Sequence, residues 1–99
     1  MKATQIIRTA SALGVDVAVV LEVIGMPKRR FHRRRHAELT PGEADRVARI
    51  ERIRTTTRRV FGDARKARQW LTRPSPFLGA PPIRFLATDA GTVKVSEEL

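Results

Sequence analysis

The 99 residues carry 20 Lys and Arg against 10 Asp and Glu, a formal charge of +10, with no cysteine, no tyrosine and a single tryptophan. That length supports one compact domain or two very small ones sharing a core, and the lack of cysteine excludes a disulfide framework, a thiolate nucleophile and a Cys-bearing zinc site. A hydrophobic fraction of 41% suffices for a small core, and the longest aliphatic run, Val17 to Leu21, is far too short to cross a bilayer.

The periodicity predicts helices throughout and no alternating strand of useful length. A first helix over Ala3 to Leu13 places Ile6, Ile7, Ala10 and Leu13 on one face, and Gly14 ends it in the left-handed conformation that follows many helices. Asp16 caps a second helix running through Ile24, with Val17, Val20, Leu21 and Ile24 at helical spacing. Its β-branched content leaves a strand as the competing reading. Gly25-Met26-Pro27 is a tight connection, and Pro27 suits the first position of a third helix reaching about His36. That helix is almost wholly cationic, with only Phe31, Ala37 and Leu39 available to anchor it.

Thr40-Pro41-Gly42-Glu43 is the strongest start signal in the chain, since it combines an N-cap Thr, a Pro at the first position and a Glu at the third. Val47, Ile50, Ile53, Thr57, Val60 and Phe61 follow at spacings of three and four, predicting a long helix with those residues on its buried face. Gly62 stops it, and Asp63 caps a shorter helix over Ala64 to Leu71 that buries Ala67, Trp70 and Leu71. Two rigid turns, Arg73-Pro74-Ser75-Pro76 and Gly79-Ala80-Pro81-Pro82, lead into an apolar turn from Ile83 to Leu86. Thr88 or Asp89 then caps a last helix carrying Val93, Val95 and Leu99.

The excess positive charge is confined to the middle of the chain. Lys28 to Arg68 hold 15 basic and 5 acidic residues, whereas the segments on either side are each neutral. Such a surface suits a polyanion, most often nucleic acid. Two short helices joined by a Gly-containing turn describe a helix-turn-helix, whose second helix would present Lys28, Arg29, Arg30, His32, Arg33, Arg34 and Arg35 to a DNA major groove. If about six of these cations each neutralise one phosphate, log K falls with log[salt] at a slope near −5. Most of them must position the protein and not read bases. A solvated basic face, or an Arg-rich helix packed against acidic protein or RNA, remains the alternative at this point.

Chemistry beyond binding finds little support. His32 and His36 stand four apart but are surrounded by cations and lack a third ligand, so no metal site is expected. Ser11, Ser75 and Ser96 have no positioned His and carboxylate, Gly79 lies in no phosphate-loop pattern, and Glu97-Glu98 diverge on a helix. The expectation is a non-enzymatic binding protein without a cofactor, soluble and intracellular, with no signal peptide at Met1.

The C-terminal half carries a resemblance. Val60-Phe61-Gly62-Asp63, Lys66-Ala67-Arg68-Gln69-Trp70-Leu71, Pro74, Leu78-Gly79, Pro82, Leu86, Thr88, Gly91, Val95 and Leu99 stand in an order that resembles the Xre/MbcA/ParS toxin-binding domain of bacterial antitoxins. Upstream, Gly25-Met26-Pro27 with Arg29-Arg30, Arg33-Arg34-Arg35 and Leu39-Thr40-Pro41-Gly42-Glu43 is similar to the Xre-type helix-turn-helix of the same antitoxins. The resemblance implies an all-α fold with a helix-turn-helix in residues 1–40, shortened at its N-terminus, and a helical toxin-binding domain in 41–99 that begins with a long connecting helix. It implies a RES-type toxin partner that destroys NAD, operator DNA bound for autorepression, a homodimer, and a bacterial cytoplasmic setting at the nucleoid. Carried over by position, Lys28 to Arg35 would contact DNA, and Lys94, Val95, Glu98 and Leu99 would lie nearest the toxin. Ser75 and Ala80 depart from the family pattern, where Asn and a second Gly are common. A stand-alone transcriptional regulator without a toxin is the runner-up reading, and an RNA- or ribosome-associated basic protein the third.

Overall fold

The computed structural model describes residues Met1–Leu99 as an all-α protein of about 37 × 25 × 19 Å. Six α-helices, α1 (Gln5–Leu13), α2 (Val17–Ile24), α3 (Lys28–Arg34), α4 (Pro41–Phe61), α5 (Ala64–Thr72) and α6 (Asp89–Glu98), are joined by a 3-10 turn at Pro82–Ala87 between the last two.

Local chemistry sets most of the boundaries. Gly14, Gly25 and Gly62 close α1, α2 and α4 with φ of 68°, 74° and 71°, a region that a Cβ would strain. Asp16 accepts a hydrogen bond from Ala18 N at 2.8 Å and starts α2 as a helix, not a strand. The capping box at α4 is complete: Thr40 Oγ1 accepts from Glu43 N at 3.2 Å and Glu43 Oε1 from Thr40 N at 2.9 Å. Pro27 sits one position earlier than expected. It occupies the N-cap of α3 with an extended ψ of 141°, and its carbonyl accepts from Phe31 N. Residues 1–3 pair with the α3–α4 link through Ala3 N to Ala37 O (2.9 Å) and Leu39 N to Met1 O (2.8 Å), an isolated antiparallel bridge.

One core of 18 buried side chains draws on every helix and on the 3-10 turn. Ile6, Leu13, Val20, Ile24, Val47 and Ile50 fill its N-terminal part, and Leu71, Ile83, Leu86 and Val95 its C-terminal part. Helix α4 is the axis between them. Two of its arginines hold neighbours by main-chain contacts, Arg46 donating to Ile24 O at 3.2 Å and Arg49 to Leu86 O at 3.0 Å. Arg49 also pairs with Asp89 at the start of α6, and Arg84 of the 3-10 turn reaches Glu22 of α2 at 2.7 Å.

Four apolar positions depart from the faces that periodicity assigns. Ile7 is 43% exposed because α1 buries the stripe Ile6, Thr9, Ala10 and Leu13. Val60 and Phe61 are exposed because the end of α4 outruns the core, whose last α4 members are Ile53 and Thr57. Trp70 is half-buried, leaving Ala67 and Leu71 as the buried pair of α5.

Candidate nucleic-acid interface and partner face

Helices α2 and α3 are joined by the Gly25-Met26-Pro27 turn, and α3 is held to the body by the buried Met26, Phe31 and Leu39. Lys28, Arg29, His32, Arg33, Arg34 and Arg35 are all exposed. Lys28, Arg29, Arg33, Arg34 and Arg35 enter no ion pair, whereas Arg30 Nη2 lies 2.6 Å from Glu43 Oε2, a carboxylate that is almost wholly buried. Arg29, Arg30, Arg33 and Arg34 line one open concavity with Pro27, at the three- and four-residue spacings that bring side chains together on a helix.

This arrangement works against the helix that bears it. Like charges four apart repel, and cations in a first turn oppose the helix dipole. No acidic residue sits in that first turn to offset them. A phosphate chain would relieve both penalties at once. His32 stands beside Phe31 with ring centroids 5.8 Å apart, and His36 falls in the turn after α3, so the two histidines share no helix face.

Apart from the exposed Arg52, the rest of the basic excess divides in two. Arg46 and Arg49 are committed to the contacts above, and Arg54 to Glu51 at 2.6 Å. Arg58, Arg59, Arg65, Lys66 and Arg68 surround the α4–α5 corner without ion pairs. That corner lies at the opposite end of a 21-residue helix from α3, a separation of about 30 Å. Hydrogen bonds from the Lys66 and Arg65 amides hold the Asp63 carboxyl below its ordinary range, as an N-cap carboxylate should be. Hydrogen bonds from the amino terminus and Lys2 do the same for Glu38.

At the C-terminal end, Thr88 Oγ1 accepts from Gly91 N at 3.0 Å and starts α6. Gly91 lies so close to the 3-10 turn that a Cβ there would stand 2.0 Å from Phe85 O. Lys94 and Glu98 are exposed and Leu99 is half-exposed. Val95 is fully buried. Its side chain is a core residue that supports α6 and offers no contact surface, which corrects its assignment to the toxin-facing set. Val93, at 55% exposure, is the apolar side chain that α6 does present.

Residues 56–99, which take in the last turns of α4, all of α5, the 3-10 turn and α6, match the family described as the antitoxin Xre/MbcA/ParS C-terminal toxin-binding domain. A curated protein named Antitoxin Xre from Pseudomonas putida is 41% identical over 66 residues, covering 66% of this chain and 42% of its own length. Another of that name, from Yersinia enterocolitica, is 34% identical over 87 residues, covering 84% of this chain and 59% of its own length. Residues 56–99 are thus similar to the toxin-binding domain of Xre/MbcA/ParS antitoxins. The chain spans about half the length of the curated relatives it matches.

Within the matched residues 56–99, Trp70 and Phe61 pack as a tilted pair, centroids 6.0 Å apart, beside a Phe77 that is 81% exposed. Sequence reasoning treated Trp70 as core and passed over Phe77. The available signal was a large aromatic directly after Pro74-Ser75-Pro76, a turn too short to fold back and bury it.

Proposed function

We propose that this chain is an antitoxin. Its C-terminal domain binds and neutralises a RES-type, NAD-degrading toxin, and α3 binds operator DNA to repress the antitoxin's own transcription in the bacterial cytoplasm. The match of residues 56–99 to a toxin-binding domain carries the first part. The five unpaired cations on α3 and at its C-cap support the second, because they remain available to phosphates once the internal ion pairs are taken out. DNA-binding residues 1–40 and toxin-binding residues 41–99 divide the labour around α4. Paired half-sites on an operator favour a two-fold symmetric homodimer. The reading assigns no catalysis and no cofactor to this chain.

Neutralisation is a matter of coverage. The outer side of α6 offers Val93, Lys94 and Glu98, with Leu99 at its end, and the buried Val95, Thr92 and Gly91 fix that face against the 3-10 turn. A toxin seated there meets a surface positioned before contact, so little ordering entropy is spent on association.

The test is a tagged purification from the native cell after nuclease treatment, with bound proteins separated and assayed for NAD consumption. A stoichiometric partner that degrades NAD once freed is the expected result. The paired substitutions Lys94→Glu and Glu98→Lys should then weaken neutralisation without lowering Tm, whereas Val95→Ala should lower Tm. Recovery of nucleic acid or ribosomal material alone would refute the antitoxin reading. A stand-alone DNA-binding regulator is the second reading, favoured by the fact that the α3 cations need no partner protein for their arrangement. A RES-type open reading frame beside the gene separates the two.

A further inference from the structure

A groove of about 400 Å³ runs between the end of α4, the outer side of α5 and the turn that follows. Its aromatic walls are Phe61, Trp70 and Phe77; its charged residues are Lys66 and Arg73, and no carboxylate lines it. Phe77 is more exposed than any other large hydrophobic side chain of the protein. The turn that presents it is nevertheless well built. Ser75 Oγ accepts from Phe77 N at 3.2 Å and from Leu78 N at 3.3 Å. Ser75 O accepts from Gly79 N at 2.8 Å, and Ser75 N donates to Ala80 O at 3.1 Å. Gly79 supplies the positive φ of 78° that closes the turn, and Pro74 and Pro76 restrict the chain on both sides of Ser75. The phenyl ring is thus held out from the body by defined contacts.

Three aromatic rings around one concavity, rimmed by cations, match the composition of protein-docking surfaces, in which aromatic anchors carry the binding energy and charge selects the partner. Helix α3 differs on each count: its cations are dense and its only large apolar side chain, Phe31, is buried. Phosphate chemistry is served there without aromatic rings. A second copy of this chain would bring Lys66 and Arg73 against like charges on a protein of net charge +10, which opposes self-association through this face.

We propose that the groove receives a segment of the partner toxin that combines apolar side chains with Asp or Glu. This deepens the toxin-binding reading and rests on it, because the groove falls within residues 56–99, and it places a second contact patch away from α6. Trp70 is the only tryptophan, so its emission reports on groove occupancy. The full chain is titrated with a short synthetic peptide of Phe, Leu, Asp and Glu, with the same peptide carrying Lys for its acids, and with oligo-dT.

The acidic peptide should shift Trp70 emission saturably. Phe77→Ala, and Lys66→Glu with Arg73→Glu, should each weaken it about tenfold or more without lowering Tm, since these side chains are exposed. No saturable shift, an equal response to the basic peptide, or preference for oligo-dT would overturn the proposal. So would a shift with protein concentration alone, which would mark self-association. If Phe77→Ala neutralises an NAD-degrading toxin as well as the parent chain does, the groove is not a toxin contact while the antitoxin reading stands. If the acidic peptide binds as expected but no toxin is recovered from the native cell, that reading falls and the groove remains a docking site for acidic, apolar segments.

Discussion

Arg30 and Arg33 look interchangeable in the sequence, yet the structure assigns them different work, and replacing each with Ala should separate them. Five cations on α3 and at its C-cap enter no ion pair, so duplex binding should follow salt with a slope of about −4.5, a fall of roughly 500-fold in affinity between 50 and 200 mM. Arg33→Ala removes one phosphate contact and should bring the slope to about −3.6, with Tm unchanged. Arg30 instead neutralises Glu43, which is only 5% exposed. Breaking a fully buried pair costs about 3–5 kcal/mol. Here the Arg30 side chain is 44% exposed, and Glu43 keeps its hydrogen bond from Thr40 N. The cost should therefore be about 1–2 kcal/mol, or a Tm lower by about 5–15 °C in a domain this small. Adding Glu43→Gln should recover part of that loss by removing the stranded charge. Fluorescence anisotropy on a mixed-sequence duplex over a salt series, with calorimetric melts beside it, reads both quantities. If Arg30→Ala leaves Tm unchanged and makes the slope shallower by as much as Arg33→Ala does, the division of labour is wrong.

Other perturbations probe the rest of the frame. Gly91→Ala should cost about 3 kcal/mol or more by driving a methyl group into the Phe85 carbonyl; a thermal melt within a few degrees of the parent's would refute that packing. Leu71→Ala should cost about 2–5 kcal/mol as a core truncation, whereas Val93→Ala should stay within about 0.5 kcal/mol, both read by urea unfolding. Asp63 has a lowered folded pKa, so the stability it confers is fully present above its unfolded value near ~4 and is lost as pH falls through the folded value. Asp63→Asn keeps a capping acceptor without the titration and should flatten the acid limb of a stability–pH curve; an unchanged limb would count against the cap as its source.

Much of this fold was legible because its punctuation is local. Asp16, Thr40 with Glu43, Gly62, Asp63 and Thr88 each act on the backbone within four residues, so α2 and α4 fall where their caps predict. What periodicity cannot supply is the point at which the core ends. Val60 and Phe61 continue a perfect helical stripe, and only the turn into α5 leaves them in solvent. Long-range charge pairing was equally hidden. Nothing in a run of arginines says that Arg30 meets Glu43, that Arg46 and Arg49 reach carbonyls of other elements, or that Arg84 meets Glu22, 62 positions away. Val95 shows the limit of arguing by position: a match to a family motif cannot distinguish a residue that touches a partner from one that supports those that do.

Because a single core joins α3 to α6, the lifetime of the molecule in the cell is one quantity and not two. Whatever grips the native chain at either end withdraws it from the unfolded pool, by an amount set by ligand concentration over Kd. A protease that attacks through global opening would therefore be slowed alike by a bound duplex and by a bound toxin. On the proposed function, digestion once both are released would end promoter control and toxin restraint in the same event.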